Sequence, residues 1–244
     1  DYSKLVKELY MYSDSALEGA REFMSETDYG ELSALVAEGR QIIAEQTASK
    51  ADADAKADAI ADKNSSIVYP NVGALTNNAE EQFCPGVDNV NAGLTYTITS
   101  SDSQSEFITN DKNLSKLTGG AIASNSGENA VYGRFYGDAE ISVVFNAHQQ
   151  LYFTGADVFE WANDTLGVSS MSVAVSEDGI TYTEIASENS GYVNGSDGLA
   201  RPEGSSSVLN KISAGFLPVK GQYIKITTTK RGYQQVIGEI VIKG

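Results

Sequence analysis

Residues 171–185 read MSVAVSEDGITYTEI. Two short runs rich in Val, Thr, Tyr and Ile flank Ser176-Glu177-Asp178-Gly179. Residues of these types suit a pleated, half-buried surface. Asp-Gly between two such runs is the clearest hairpin signal in the chain, because glycine supplies the positive φ that tight hairpin turns need. The stretch predicts two antiparallel strands joined by a turn, and it sets the period by which the rest of the chain is read.

Outward from this hairpin the same composition recurs. LTYTITS (94–100), EISVVF (140–145), QLYFTGADVF (150–159), QYIKITTT (222–229) and VIGEIVIKG (236–244) are short β-rich runs separated by Gly, Asn, Asp and Ser. Several strands without helical patterns between them predict an antiparallel β-sandwich or jelly roll. The first 63 residues read differently. Leu5, Leu9, Tyr12, Ala16, Ala20 and Phe23 recur at helical spacing, and Leu32, Leu35, Val36, Ile42 and Ile43 form a second apolar stripe. Asp28 with Glu31, and Ser49 with Asp52, have the spacing of helix starts. Alanine makes KADADAKADAIADK (50–63) helical by propensity, although Ile60 is its one bulky residue. The organisation expected is a mainly β protein with an N-terminal α-helical hairpin or three-helix bundle over 1–63. A linker over 64–84, marked by Pro70 and Gly73, leads to a β-sandwich binding domain over 85–244.

The chain has 244 residues and a formal net charge of −16, with both the helical and the strand-rich region acidic. Such a charge disfavours binding to nucleic acid or to an anionic membrane surface. One cysteine and one histidine leave no intramolecular disulfide and no multi-Cys or His-rich metal site. No apolar stretch approaches the roughly 20 residues of a membrane span, so no membrane insertion is expected. A Gly-rich phosphate loop, a GxSxG elbow, an HExxH motif and a Cys–His pair are all missing, and no enzymatic activity is expected. The start at Asp1 suggests a piece of a larger multidomain protein.

KLTGG (116–120), SVAVSEDGITYTEI (172–185), QYIKI (222–226) and GEIVIKG (238–244), in that order, resemble the discoidin-like family, also called F5/8 type C or galactose-binding-like. The resemblance covers roughly residues 85–244, and the helical region is loosely similar to spacer modules beside such domains in bacterial surface proteins. It implies a discoidin-like jelly roll acting as a lectin-like, non-catalytic carbohydrate-binding module, extracellular or at the bacterial cell surface. The implied partner is an oligo- or polysaccharide. The resemblance also implies a structural calcium ion near the KLTGG turn, held by the Leu117 carbonyl and Glu239. Gly119 stands where the family has Asp, which removes a carboxylate from a cation that takes six to eight oxygens.

Candidate ligand residues cluster in two loops. Sugar recognition needs an aromatic face and planar polar groups for hydroxyls. WANDT (161–165) offers the only tryptophan, Trp161, with Asn163 and Asp164 close behind. Trp161 is expected as an exposed stacking platform where a strand enters a loop, against the alternative of inward packing. The long polar loop 191–204 adds Tyr192 and Arg201, with Asn194 and Asp197 nearby. Arg231 and Tyr233 in KRGYQQ read as an ordinary hairpin loop, and Tyr132, Arg134 and Phe135 in VYGRFYGD read mostly as core. His148 reads as an inert residue in a tight turn, and Cys84 as an unreactive thiol. The alternative function is a structural or protein–protein interaction module without a sugar site. It predicts buried loop aromatics and an exposed apolar stripe along Leu32, Leu35 and Ile42.

Overall fold

The computed structural model describes residues 1–69, 75–76, 93–100, 114–119, 140–196, 198–199, 201 and 206–244, with the backbone of 133–136. Cys84, Pro70, Gly73, Asp197, Tyr132 and the side chains of Arg134 and Phe135 lie outside the described residues, as does most of 64–84. The chain divides into two compact units, Asp1–Asn71 with Phe216–Val219, and Val72–Gly215 with Lys220–Gly244.

The first unit contains four α-helices: α1 (Ser3–Leu9), α2 (Asp14–Ala20), α3 (Glu26–Glu45) and α4 (Lys50–Ser66). The single helix expected over 2–24 is interrupted, because the Ser13 side chain accepts from the Ala16 amide and caps a new helix there. α3 begins before Asp28, since Ser25 is its cap and accepts from the Asp28 amide at 3.0 Å. The start at Ser49 is as expected, with a complete capping box to Asp52. α4 has little apolar bulk and buries Ala53, Ala57 and Ile60. Small residues let it lie close: a Cβ on Gly39 of α3 would stand 3.2 Å from Ile60 Cδ1 and 3.3 Å from Leu5 Cδ1. Leu5, Tyr12, Leu17, Leu32 and Val36 fill the bundle core, and Leu35 and Ile42 pack against it.

The second unit is an antiparallel β structure with seven strands among the described residues: β1 (Thr95–Ser100), β2 (Gly133–Tyr136), β3 (Glu140–Ala162), β4 (Val168–Ser176), β5 (Thr183–Asn189), β6 (Val208–Lys230) and β7 (Gln234–Lys243). Their order is β2-β7-β3-β6-β4-β5, with β1 on β3. β3 pairs through Ile141–Asn146 with β1 and through Gly155–Glu160 with β7. β6 lies beside β3 and pairs through its C-terminal part with β4. The two long strands thus join the others into one sheet path, β3 pairing with β1, β7 and β6, and β6 with β3 and β4. A Cβ at Gly155 would stand 2.7 Å from the Ala214 carbonyl, which is where glycine lets the β6 backbone approach.

Burial follows this plan. β3 alternates from Ile141 to Ala147, then is buried on both faces from Gly155 onward. β7 is buried at every position from Gln234 to Ile242. The hairpin of 171–185 forms, with Val175 opposite Thr183. Its connection is longer than a two-residue turn: Asp178 Oδ1 accepts from the amides of Ile180 and Thr181, and Gly179 has φ +75°. The tight turn expected at FNAHQQ is not there. β3 runs through it, and His148 takes φ +57° within the strand, accepting or donating a 2.8 Å bond with Thr95 Oγ1. Among the described residues no helix is long and apolar enough to cross a membrane.

Candidate functional site

Four segments gather at the end of the sandwich where β3 stops and β7 starts. The turn 163–167 is built by the Asn163 side chain, whose Oδ1 accepts from Thr165 N (2.8 Å), Thr165 Oγ1 (3.0 Å) and Leu166 N (3.1 Å). Its Nδ2 donates to Ser207 Oγ at 3.0 Å, just before β6. The segment 231–234 closes on the same turn, with Arg231 N donating to the Gly167 carbonyl and Tyr233 N to the Thr165 carbonyl. Gly232 is required there. Its φ is +67°, and a Cβ would stand 2.2 Å from the Thr165 carbonyl. The segment after β5 joins through Ser190 N donating to the Ser169 carbonyl.

These segments enclose a shallow cavity of about 300 Å³ lined by Asn163, Asp164, Thr165, Tyr192, Asn194 and Arg201, with Gly195 and Ser206. Four of the five expected ligand residues therefore meet in one place. The fifth does not. Trp161 is 1% exposed and among the largest fully buried side chains, so the expectation of an exposed stacking platform is corrected: the indole is core. The reason is the two-sided burial of the end of β3, which leaves its last residues no solvent face. Its Nε1 finds no hydrogen-bond acceptor among the described residues. Asn163 reaches the cavity but spends its amide on holding the turn.

The aromatic of the cavity is Tyr192. Its ring is half-buried, and the Arg231 guanidinium lies 4.5 Å from the ring centroid, a cation–π distance. Arg231 also donates to Ser190 Oγ, and Arg201 Nη2 donates to the Ser196 carbonyl at 2.5 Å. Asp164 stands exposed at the tip of the turn. Apolar groups surround this end, with Val193 67% and Tyr233 55% exposed. KRGYQQ, expected as an ordinary hairpin loop, joins β6 to β7; neither Arg231 nor Tyr233 lines the cavity, though Arg231 packs on Tyr192. Only the Gly between them hinted that this loop touches another backbone.

Beneath the cavity lies Glu160, fully buried on β3. Its Oε1 accepts from Asn210 Nδ2 at 2.9 Å, and its Oε2 accepts from the Val168 amide. Burial pushes this carboxyl up to about 7, while Asn210, Val168 and the charge of Arg231 pull it down. No composition signal marks such a residue, since an acid within an apolar strand reads as an outward position.

The calcium expectation concerns another place. Leu117 is buried in a 3-10 turn, Lys116–Thr118, which packs against β7, the strand of Glu239. Glu239 is itself buried. Among the described residues no group of three or more His, Cys, Asp or Glu side chains is placed to hold a metal ion. One carboxylate and one carbonyl fall short of six oxygens, so an ion there would depend on further backbone and water ligands.

No family model matches the chain, and no curated protein matches it. Similar solved structures include carbohydrate-binding modules and also chains of larger enzymes. A family 32 module of Clostridium perfringens NanJ in complex with galactose is 15% identical, with 62% of this chain and 93% of that one covered at a TM-score of 0.38. A Clostridium perfringens module solved with GalNAc-β-1,3-galactose is 14% identical, covering 63% and 97% at 0.41. A chitosan-binding module from a chitosanase/glucanase of Paenibacillus sp. IK-5 is 16% identical, covering 63% and 98% at 0.41. At scores below 0.5 these likenesses carry no argument about the ligand of this chain.

Proposed function

We propose that this protein is a non-catalytic carbohydrate-binding module that takes an oligo- or polysaccharide in the cavity at the β3/β7 end of the sandwich. The observation that carries this reading is the convergence of Asp164, Tyr192 and Arg201 on one shallow cavity. Tyr192 supplies the face for the C–H surface of a sugar ring, held by Arg231 behind it. Asp164 accepts from hydroxyls and Arg201 donates to them. Asn163 shapes the turn, and Trp161 supports it from within the core without touching ligand. A preformed, open site of this size gives weak single-site affinity, about micromolar to millimolar. Avidity would come from repetition within a larger secreted or cell-surface protein.

A binding screen over soluble oligosaccharides and insoluble polysaccharides tests this, run on the full chain and on Tyr192→Ala. Binding lost in the variant supports the reading, and an absence of binding to every glycan overturns it. The interaction-module alternative predicts an exposed stripe on α3. Leu32 is instead buried, and Leu35 and Ile42 pack inward. It also predicts buried loop aromatics, which holds for Trp161 but not for Tyr192 or Tyr233.

Calcium at the Leu117 carbonyl and Glu239 is a separate proposal. It predicts that millimolar calcium raises the Tm, that a chelator reverses the rise, and that Glu239→Gln abolishes it. A Tm unmoved by calcium removes the ion.

A further inference from the structure

Glu160 touches no part of the cavity wall, yet it is bonded to the segments that make it. Through Oε2 it holds the Val168 amide, where the 163–167 turn enters β4. Through Oε1 it holds Asn210 Nδ2, and the same nitrogen donates to the Ser190 carbonyl at 3.2 Å, where β5 gives way to the Tyr192 segment. Ser190 Oγ in turn accepts from Arg231 and, at 3.2 Å, from the Tyr192 amide. A Cβ on Gly167 would stand 2.8 Å from Glu160 Oε2, so the turn is seated directly on the carboxyl. One buried side chain thus ties together the three segments that present Asp164, Tyr192 and Arg231.

We propose that Glu160 is the positioning residue of this site, setting the cavity through its hold on Val168, Asn210 and, by way of Ser190, the Tyr192–Arg231 pair. The inference rests on the carbohydrate reading for what the cavity is used for, though not for the hold itself. Both groups facing the carboxyl are donors, an amide N–H and a side-chain NH₂. Only the carboxylate accepts from both fully; a protonated oxygen would turn its own hydrogen against one of them. The charged group that faces it from the neighbouring segments, among the described residues, is Arg231, which also favours the ionised form. Asn210 of β6 and Val168 of β4 are neutral, and Ile237 opposite it on β7 is apolar. Burial raises this carboxyl to about 7 while the segments are closed over it, so its change of state is readable near neutrality in the groups bonded to it.

The test is a titration of the isotopically labelled full chain from pH 5 to 8.5, following the backbone amides of Val168 and Tyr192 and the Asn210 side-chain amide. The three signals should move together with a midpoint near 7 and stay still in Glu160→Gln. Signals that do not move in the wild type, or that titrate unchanged in the variant, overturn the proposal, and the wild-type arm needs no variant to fold. A glycan found in the screen should bind about tenfold more weakly to Glu160→Gln than to the wild type at one pH, because the amide cannot accept from both Val168 and Asn210. Equal affinity of the two proteins also overturns it. Titration without any glycan binding would sink the carbohydrate reading alone and leave the hold of Glu160 on the segments supported.

Discussion

Trp161 is the only indole in the chain, so its fluorescence reports a single environment. Burial to 1% predicts a blue-shifted emission and poor quenching by acrylamide, with efficient quenching as the outcome that would place it at the surface. Trp161→Ala should destabilise the fold by about 3–5 kcal/mol in denaturant unfolding, as large-to-small core changes do. Loss of binding in that variant would therefore say nothing about stacking. Asp164→Ala is the sharper probe, because Asp164 is exposed at the turn tip: the expected result is weakened glycan binding with unfolding unchanged within about 0.5 kcal/mol. The neighbourhood of the site was legible at this scale, since polar loop residues near an aromatic read as ligand groups. Which of them face the ligand was not. Asn163 and Trp161 have suitable chemistry, and both are used to build the turn and the core.

Element ends were read well where a side chain closes them locally. Ser49 with Asp52 is such a case, and Ser49→Ala should cost about 1 kcal/mol and shorten α4, measured by chemical denaturation with far-UV detection. The break between α1 and α2 escaped notice because the apolar spacing continues across it, while the Ser13 cap interrupts the backbone bonds. The two 23-residue strands were read as fragments for a similar reason. In β3, polar residues around His148 look like a turn, and in β6, Gly215 and Pro218 punctuate the pattern. Neither interruption ends a strand whose neighbours continue to pair. Gly232 shows the opposite, a residue whose role is a close approach. Gly232→Ala should displace the 163–167 turn and weaken binding while leaving the pairing of β4 with β6 intact, as read from amide chemical shifts.

The whole molecule carries a stability dependence that originates at Glu160. An unfolded glutamate releases its proton near 4.5, whereas in the fold burial moves that release to about 7. Between these values the folded chain holds one proton more than the unfolded chain, so stability from this group is full below about 4.5 and falls as pH rises. The slope is about 1.4 kcal/mol per pH unit, and it ends near 7, where both states are ionised. Glu160→Gln should flatten that part of a denaturation profile taken from pH 4.5 to 8. The ionised carboxylate that positions the cavity is thus the form that costs the fold stability. By itself the sequence determined the two periods, the antiparallel β class, the N-terminal helices and the polar loops that line the cavity, because all of these depend on neighbours within a few residues. Only the tertiary structure decided that Trp161 faces inward, that Arg231 backs Tyr192, and that Glu160 lies beneath three segments. Each depends on which distant backbone covers a given face, and the period of one strand holds no information about what packs against it.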